Sequence, residues 1–157
     1  MNIDARLTEL GITLPKAAAP VAAYVATVAQ GGMLYISGQL PFIGGILITG
    51  KLGNGENPPE RTLEEGQAAA RACALMIIAQ MQAALGDLNR VERIVKLGVF
   101  VASTPDFTDQ PKVANGASDV MEAVFGDAGK HARSAVSVPV LPLDATVEID
   151  AVVAIRG

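Results

Sequence analysis

Tryptophan is absent, aromatic residues make up only 4% of the chain, and 157 residues include one cysteine and one histidine. Each shortage excludes something. Cys73 has no second cysteine to pair with, so no internal disulfide forms. Its place in a helical pattern predicts a buried, inert thiol. His131 is a single imidazole, and zinc sites recruit several His or Cys ligands, so no metal site and no metal cofactor are expected. A Ser-His-Asp arrangement would need the same histidine. Nothing in the spacing supports one, and His131 is expected at the surface. Charge is scarce too: 12 Lys and Arg stand against 16 Asp and Glu, a net charge of -4. Phosphate binding needs clustered cations, and no cluster is present, so nucleic acid is not expected as a partner. The start, "MNIDARLTELGITLP", lacks the basic-then-apolar pattern of a signal peptide. No apolar stretch is expected to serve as a membrane span of ~20 residues. These absences predict a soluble protein of a reducing compartment, the cytoplasm, with no membrane partner. GxSxG, HExxH, CxxC and the phosphate loop are all missing. The "GNG" at Gly53 to Gly55 has neither the strand before it nor the helix after it that a nucleotide fingerprint needs, and is assigned to a turn.

What is present is aliphatic. Half the residues are hydrophobic, and the core must be built from Ala, Val, Ile, Leu and Met. A short helix is predicted over "IDARLTELG". Two β-leaning runs, "VAAYVATVAQ" and "MLYISGQ", flank Gly31-Gly32 and predict a hairpin. "PFIGGILITG" repeats the device around Gly44-Gly45. That second hairpin carries no charge and is expected to be covered, by a neighbouring subunit. The segment from Gly50 to Arg61 is a loop.

The clearest helix runs from Leu63 to Leu85. Thr62 and Glu65 form a capping box, and Gly86 provides the stop. Cys73, Ala74, Ile77 and Met81 recur at helical spacing. "RIVKLGVFVAS" is so apolar that both its faces are expected to be covered. A second helix is predicted from Pro111 to Phe125. Two strands, "SAVSVPV" and "ATVEIDAVVAI", close the chain. The order is that of an α+β domain, one sheet with two helices on one face, and residues 1–157 are expected to form that single domain.

Against this background Arg133 stands alone at the head of an uncharged strand. Its planar guanidinium suits a carboxylate held through two parallel hydrogen bonds. The plain alternative is a surface ion pair with Glu148 or Asp150. Glu148 alternates with Val147 and Ile149, so it belongs to the opposite face of its strand, which is either a site or simply wet. Tyr24 and Tyr35, the two tyrosines, are each expected in an early strand. Ser37 lies where "ISGQLP" runs into a glycine turn.

Three ordered blocks resemble the RidA family, also called YjgF or the reactive-intermediate deaminases. They are "YVATVAQGGMLYISGQLP", the helix-to-strand segment "TLEEGQAAARACALMIIAQMQAALGDLNRVERIVKLGVFVAS", and "ARSAVSVPVLPLDATVEIDAVV" with its R-[SA], LP and V-E-I-[ED] signature. The extra length resembles a longer subgroup labelled endoribonuclease-like or chorismate-mutase-like. The resemblance implies a chorismate-mutase-like fold assembled as a homotrimeric barrel with clefts between subunits. It implies hydrolysis of reactive 2-imino and enamine acids, such as 2-aminoacrylate, to 2-oxo acids and ammonia, without a cofactor. It also implies roles. Arg133 clamps the substrate carboxylate, Glu148 positions or activates water, Tyr24, Ser37 and Gly38 line the pocket, and the Ala135 carbonyl receives the imine nitrogen. Many members have cysteine at the position of Ala135. Pro105 replaces a pocket-shaping asparagine found in many deaminases, which puts the substrate range in question. The competing functions are a trimer that binds small carboxylates without turning them over, an endoribonuclease, and a chorismate mutase. The last would need several cations where the sequence offers only Arg133.

Overall fold

The computed structural model of the protein describes residues 2–20, 22–53 and 60–157. Asn54 and Gly55 of the predicted turn, and half of the loop from Gly50 to Arg61, therefore lie outside the described residues. Helix α1 spans Ile3–Glu9, α2 Leu63–Leu85 and α3 Gln110–Phe125. The strands are β1 (Thr27–Gln30), β2 (Met33–Gln39), β3 (Phe42–Ile43), β4 (Ile46–Leu47), β5 (Val91–Ala102), β6 (Ala132–Val138) and β7 (Val147–Ile155).

Helix α2 begins where the sequence predicts. The Glu65 N–H donates to the Thr62 hydroxyl at 3.1 Å, and the Thr62 N–H donates to the Glu65 carboxylate at 3.0 Å. Four orphan donors open every helix, and this box satisfies two of them. The helix ends at Gly86, whose φ of 74° is the left-handed conformation that glycine adopts without penalty. By length and composition α2 could cross a membrane, contrary to the expectation that no stretch would. Its apolar residues instead build the core: Ala70, Cys73, Ala74, Ile77, Ile78 and Met81 are fully buried.

Five strands form one mixed sheet in the order β1-β2-β7-β5-β6, in which only β5 and β6 run parallel. A parallel pair needs a crossover, and α3 supplies it between β5 and β6. Strands β3 and β4 form the separate predicted hairpin. Helices α2 and α3 pack together on one face of the sheet, and α1 adds to α3 at the side.

One expectation is corrected. Tyr24 lies among bends before β1, not in a strand. Strand β5 is fully buried on one face and, within the chain, only partly on the other. Ile94, Leu97, Val99 and Val101 are buried beneath the helices, while Phe100 and Gly98 point to the other face and are only partly buried, Phe100 packing against the small cluster of Ala102, Leu141 and Ala145. That open face also carries Tyr35, 48% exposed, and Val136, 47% exposed. The β3–β4 hairpin turns Phe42 and Leu47 partly inward and leaves Ile43 and Ile46 exposed, Ile46 at 69%.

Candidate functional site

Residues paired across neighbouring strands share a face, so the register decides which side chains can meet. Arg133 pairs with Leu97, which pairs in turn with Ala151. Leu97 and Ala151 are buried under the helices. Arg133 therefore leaves the helix-covered face, at the β6 edge. Glu148 pairs with Phe100, which pairs with Val136, and this rung belongs to the open face. Within one chain the two residues depart from opposite faces, two strand spacings and three residues of register apart. Ordinary strand dimensions put about 14 Å between their Cα atoms. The alternative ion pair of Arg133 with Glu148 or Asp150 is excluded by this geometry. Arg133 turns toward α3, where Nη1 donates to Asn115 Oδ1 at 2.9 Å and to Ser118 Oγ at 3.0 Å.

The sequence-predicted residues thus fall into two groups. The first gathers at β2 and β7. Glu148 rests against the backbone of Gly38, where an added Cβ would stand 2.9 Å from Glu148 Cδ. Ser37 ties the preceding segment down: its N–H donates to the Ala26 carbonyl at 2.9 Å and its hydroxyl to the Val25 carbonyl at 2.8 Å. Tyr24, half-exposed, and Gly38 line a cavity of about 190 Å³ together with Gln39, Phe42 and Leu143. Burial pushes the Glu148 carboxyl above its ordinary value, and the neighbouring Asp150 charge pushes it the same way. Asp150, two residues on and on the same face, is also raised by burial, opposed by the Gly98 N–H and Lys96. Glu148 is half-buried and Asp150 exposed, and the two carboxyls, both raised, share the open face of β7. The Cys73 thiol is pushed well up, by burial first and then by Glu148, and is inert as expected.

The second group lies along the β6 edge. Ala135 follows Arg133 by two residues on the same face and is half-buried. As the edge strand, β6 has one row of backbone groups with no strand beside it. Pro105 lies in an exposed turn after β5, near the far end of β6, where the Ser103 N–H donates to the Val138 carbonyl at 3.2 Å. The structure does not bring this group to Tyr24, Ser37, Gly38 or Glu148 within one chain.

Several polar residues were not singled out by the sequence. Gln39 donates to the Ser37 carbonyl at 2.9 Å. Gln80 of α2 donates to Gln39 at 3.2 Å and to the Ala18 carbonyl at 2.8 Å, pinning the turn from the core side. The available signal was a neutral amide inside the apolar run "MIIAQM". At the β6 end, Gln110 donates to Ser137 Oγ at 2.6 Å, and Ser137 also bonds Ser103. His131, expected at the surface, is half-buried and bonded to Ser118 and Gly129. The most voluminous cavity described, about 690 Å³, lies between residues 13–18, the β3–β4 hairpin and α2, and none of the predicted site residues lines it. Among the described residues no group of three or more His, Cys, Asp or Glu could share a metal ion.

The sequence pattern of the family described as "YjgF/chorismate mutase-like, putative endoribonuclease" matches residues 4–153. Protein TCP17 of Trypanosoma cruzi is 56% identical over 159 residues, covering 99% of this chain and 96% of its own. A solved structure called a putative endoribonuclease, from Shewanella oneidensis, superimposes with a TM-score of 0.91 at 31% identity, covering 99% of this chain and all of that one. E. coli TdcF with bound serine is more distant, at 27% identity and a TM-score of 0.61 over 90% of this chain and 94% of its own. The matched span takes in β2, β6 and most of β7, the strands that carry most of the candidate residues, and the chain belongs to the YjgF/chorismate mutase-like family, the RidA family that its sequence resembles.

Proposed function

We propose that the protein hydrolyses reactive 2-imino acids and their enamine tautomers to 2-oxo acids and ammonia, in a cleft formed between two copies of the chain. One observation carries this reading: the cation and the raised carboxylate lie on opposite faces of one sheet, each incomplete alone. A second copy that sets its β6 edge against the open side of β2 and β7 would put Arg133 beside Glu148, Tyr24, Ser37 and Gly38. The open face, with Tyr35 and Val136 exposed and Phe100 partly buried between Val136 and Glu148, supports such an assembly, because exposed apolar surface gathered on one face marks an interface. A closed ring of three copies covers that face in every subunit.

The chemistry needs little beyond placement. The substrate carboxylate binds the Arg133 guanidinium, which fixes the electrophilic imine carbon near Glu148. Glu148 takes a proton from water as the oxygen attacks, and the carbon–oxygen bond forms as the C=N pair moves to nitrogen. A proton reaches the nitrogen, the C–N bond breaks, and ammonia leaves a 2-oxo acid. Holding both reactants makes the attack effectively intramolecular, and a carboxyl raised by burial works as a base nearer neutral pH. The bound serine of the distant relative TdcF is a small amino acid of the right class.

The test is turnover of 2-aminoacrylate, generated by a coupled dehydratase. Arg133→Ala and Arg133→Lys should both lose it, the lysine because a point charge cannot supply a bidentate grip. Wild-type turnover in either variant rejects the proposal. Bound 2-oxobutanoate without turnover by the wild type would leave a carboxylate-binding protein instead.

A second reading, RNA cleavage, is favoured by the name of the Shewanella relative. It faces a net charge of -4 and a single histidine that is already bonded to Ser118 and the Gly129 carbonyl. Labelled RNA left intact by purified protein, with a contaminant-nuclease inhibitor present, removes that reading.

A further inference from the structure

Helix α3 contributes a clamp that the family signature does not contain. Arg133 Nη1 carries two protons, and both are used: one goes to Asn115 Oδ1 at 2.9 Å, the other to Ser118 Oγ at 3.0 Å. Ser118 is in turn oriented. His131 Nδ1 lies 2.6 Å from the Gly129 carbonyl, which can only accept, so Nδ1 carries the proton. In that neutral tautomer Nε2 is an acceptor, and the Ser118 hydroxyl, 2.9 Å away, donates to it. Ser118 thereby turns its lone pairs toward Arg133. The chain of bonds runs from Arg133 through Ser118 and His131 to the backbone, and each bond polarises the next.

Nε and Nη2 of Arg133 have no partner among the described residues. These two N–H groups form the side-on edge of the guanidinium, parallel and spaced to match the two oxygens of a carboxylate. We infer that Asn115, Ser118 and His131 are positioning residues that lock Arg133 by its Nη1 corner and present its Nε–Nη2 edge as a preformed fork for the substrate carboxylate. This inference rests on the reading that Arg133 grips that carboxylate. It adds which edge does so and what holds it there. A free arginine loses several rotamers when it binds, and one already fixed in its binding geometry gives up fewer. The clamp therefore acts on affinity more than on the chemical step, whose proton transfers belong to Glu148 in the other half-site.

The experiment measures the dissociation constant of 2-oxobutanoate by calorimetry, with KM and kcat for 2-aminoacrylate, in five proteins: wild type, Arg133→Lys, Ser118→Ala, Ser118→Thr and the Asn115→Ala/Ser118→Ala double variant. The double variant should bind and show KM about tenfold weaker, with kcat within about threefold, as expected for lost preorganisation. Ser118→Ala should lose about threefold, and Ser118→Thr, which keeps the hydroxyl, should recover it. Nitrogen-15 spectra should show the Arg133 side-chain protons resolved in the wild type and averaged in the double variant. If Arg133→Lys binds poorly while Ser118→Ala and the double variant stay within twofold of wild type, the clamp is wrong and the carboxylate reading survives. If Arg133→Lys binds as wild type does, the carboxylate reading fails and takes the clamp with it. Should the double variant unfold, the Ser118→Ala and Ser118→Thr pair decides on its own: equal affinities overturn the clamp.

Discussion

The carboxyl of Glu148 lies on the backbone of Gly38, so that an added Cβ would stand 2.9 Å from Cδ and 3.2 Å from Oε1. Gly38 does not need positive φ, since its dihedral falls outside that region. It is glycine because the acid occupies the space. Two responses to Gly38→Ala are open in principle: strain held in place, worth about 1–3 kcal/mol, or a swing of the flexible Glu148 side chain. Glu148 is only half-buried, so the swing wins. Gly38→Ala should keep its thermal midpoint while imine turnover falls at least about 50-fold through lost positioning. A fall in midpoint with turnover intact would separate Glu148 from the reaction.

Gly116 presents the opposite case. A Cβ there would collide with the backbone carbonyl of Gln67, where α3 crosses α2. Backbone cannot rotate away as a side chain does. Gly116→Ala should therefore lower stability by about 1–3 kcal/mol, measured by urea unfolding, and any loss of activity should follow the unfolded fraction.

The separation of Arg133 from Glu148 makes a prediction that no single mutant can. Mix Arg133→Ala chains with Glu148→Gln chains, unfold them and refold them together. Each homogeneous preparation has no intact cleft. In a mixed ring, a cleft is intact when its arginine comes from the glutamine variant and its glutamate from the alanine variant. Random assembly in a closed cyclic oligomer gives about a quarter of the clefts both groups. Recovery of about a quarter of wild-type turnover supports the split site. Zero recovery from well-assembled mixtures places both groups in one chain's cleft, or in none.

Glu148 also couples the site to stability. Its carboxyl is raised above the ordinary value of 4.5, burial being the larger cause and Asp150 the smaller. The folded state then holds the proton more tightly than the unfolded chain, so stability falls as pH rises from 4.5 through the raised value. Glu148→Gln cannot ionise and escapes that loss. It should unfold at a higher temperature than wild type at pH 8, and the advantage should vanish below the ordinary carboxylate range. Thermal scans across pH 3–8 check the sign. An advantage that grows toward acid would contradict the burial of Glu148.

Much of this was legible in the chain because local signals agreed with the fold. Thr62, Glu65 and Gly86 mark the ends of α2 through hydrogen bonds that involve only near neighbours. Gly31-Gly32 marks the β1–β2 turn by dihedral need alone. The R-[SA] and V-E-I-[ED] blocks placed Arg133 and Glu148 on strands. Their division between two faces, one on the edge strand β6 and the other on the central strand β7, was not legible, because it depends on β5 lying between β6 and β7, a fact of long-range pairing. Tyr24 was misplaced for a related reason: its β-leaning neighbours are held by Ser37, twelve residues from Val25, and not by a strand partner. Asn115, Ser118 and His131 come together only when α3 crosses back to β6, so no local pattern marks them.

The open face offers the most direct test of the assembly. Val136 shares a rung with Phe100 and Glu148 and is 47% exposed, and Tyr35 lies on the same face at 48%. A charge placed at Val136 would be solvated in a lone chain, where the site is already wet, and buried in a ring. Val136→Asp should therefore fold with an unchanged circular dichroism spectrum and sediment as a monomer. Its imine turnover should fall more than about 100-fold, because neither half-site alone holds both the carboxylate grip and the base, and lost positioning is worth that much. The variant also answers the rival in which the chain works alone. A monomer with full activity would mean that the cleft lies within one protomer, and the geometry of Arg133 and Glu148 would then have no part in the reaction.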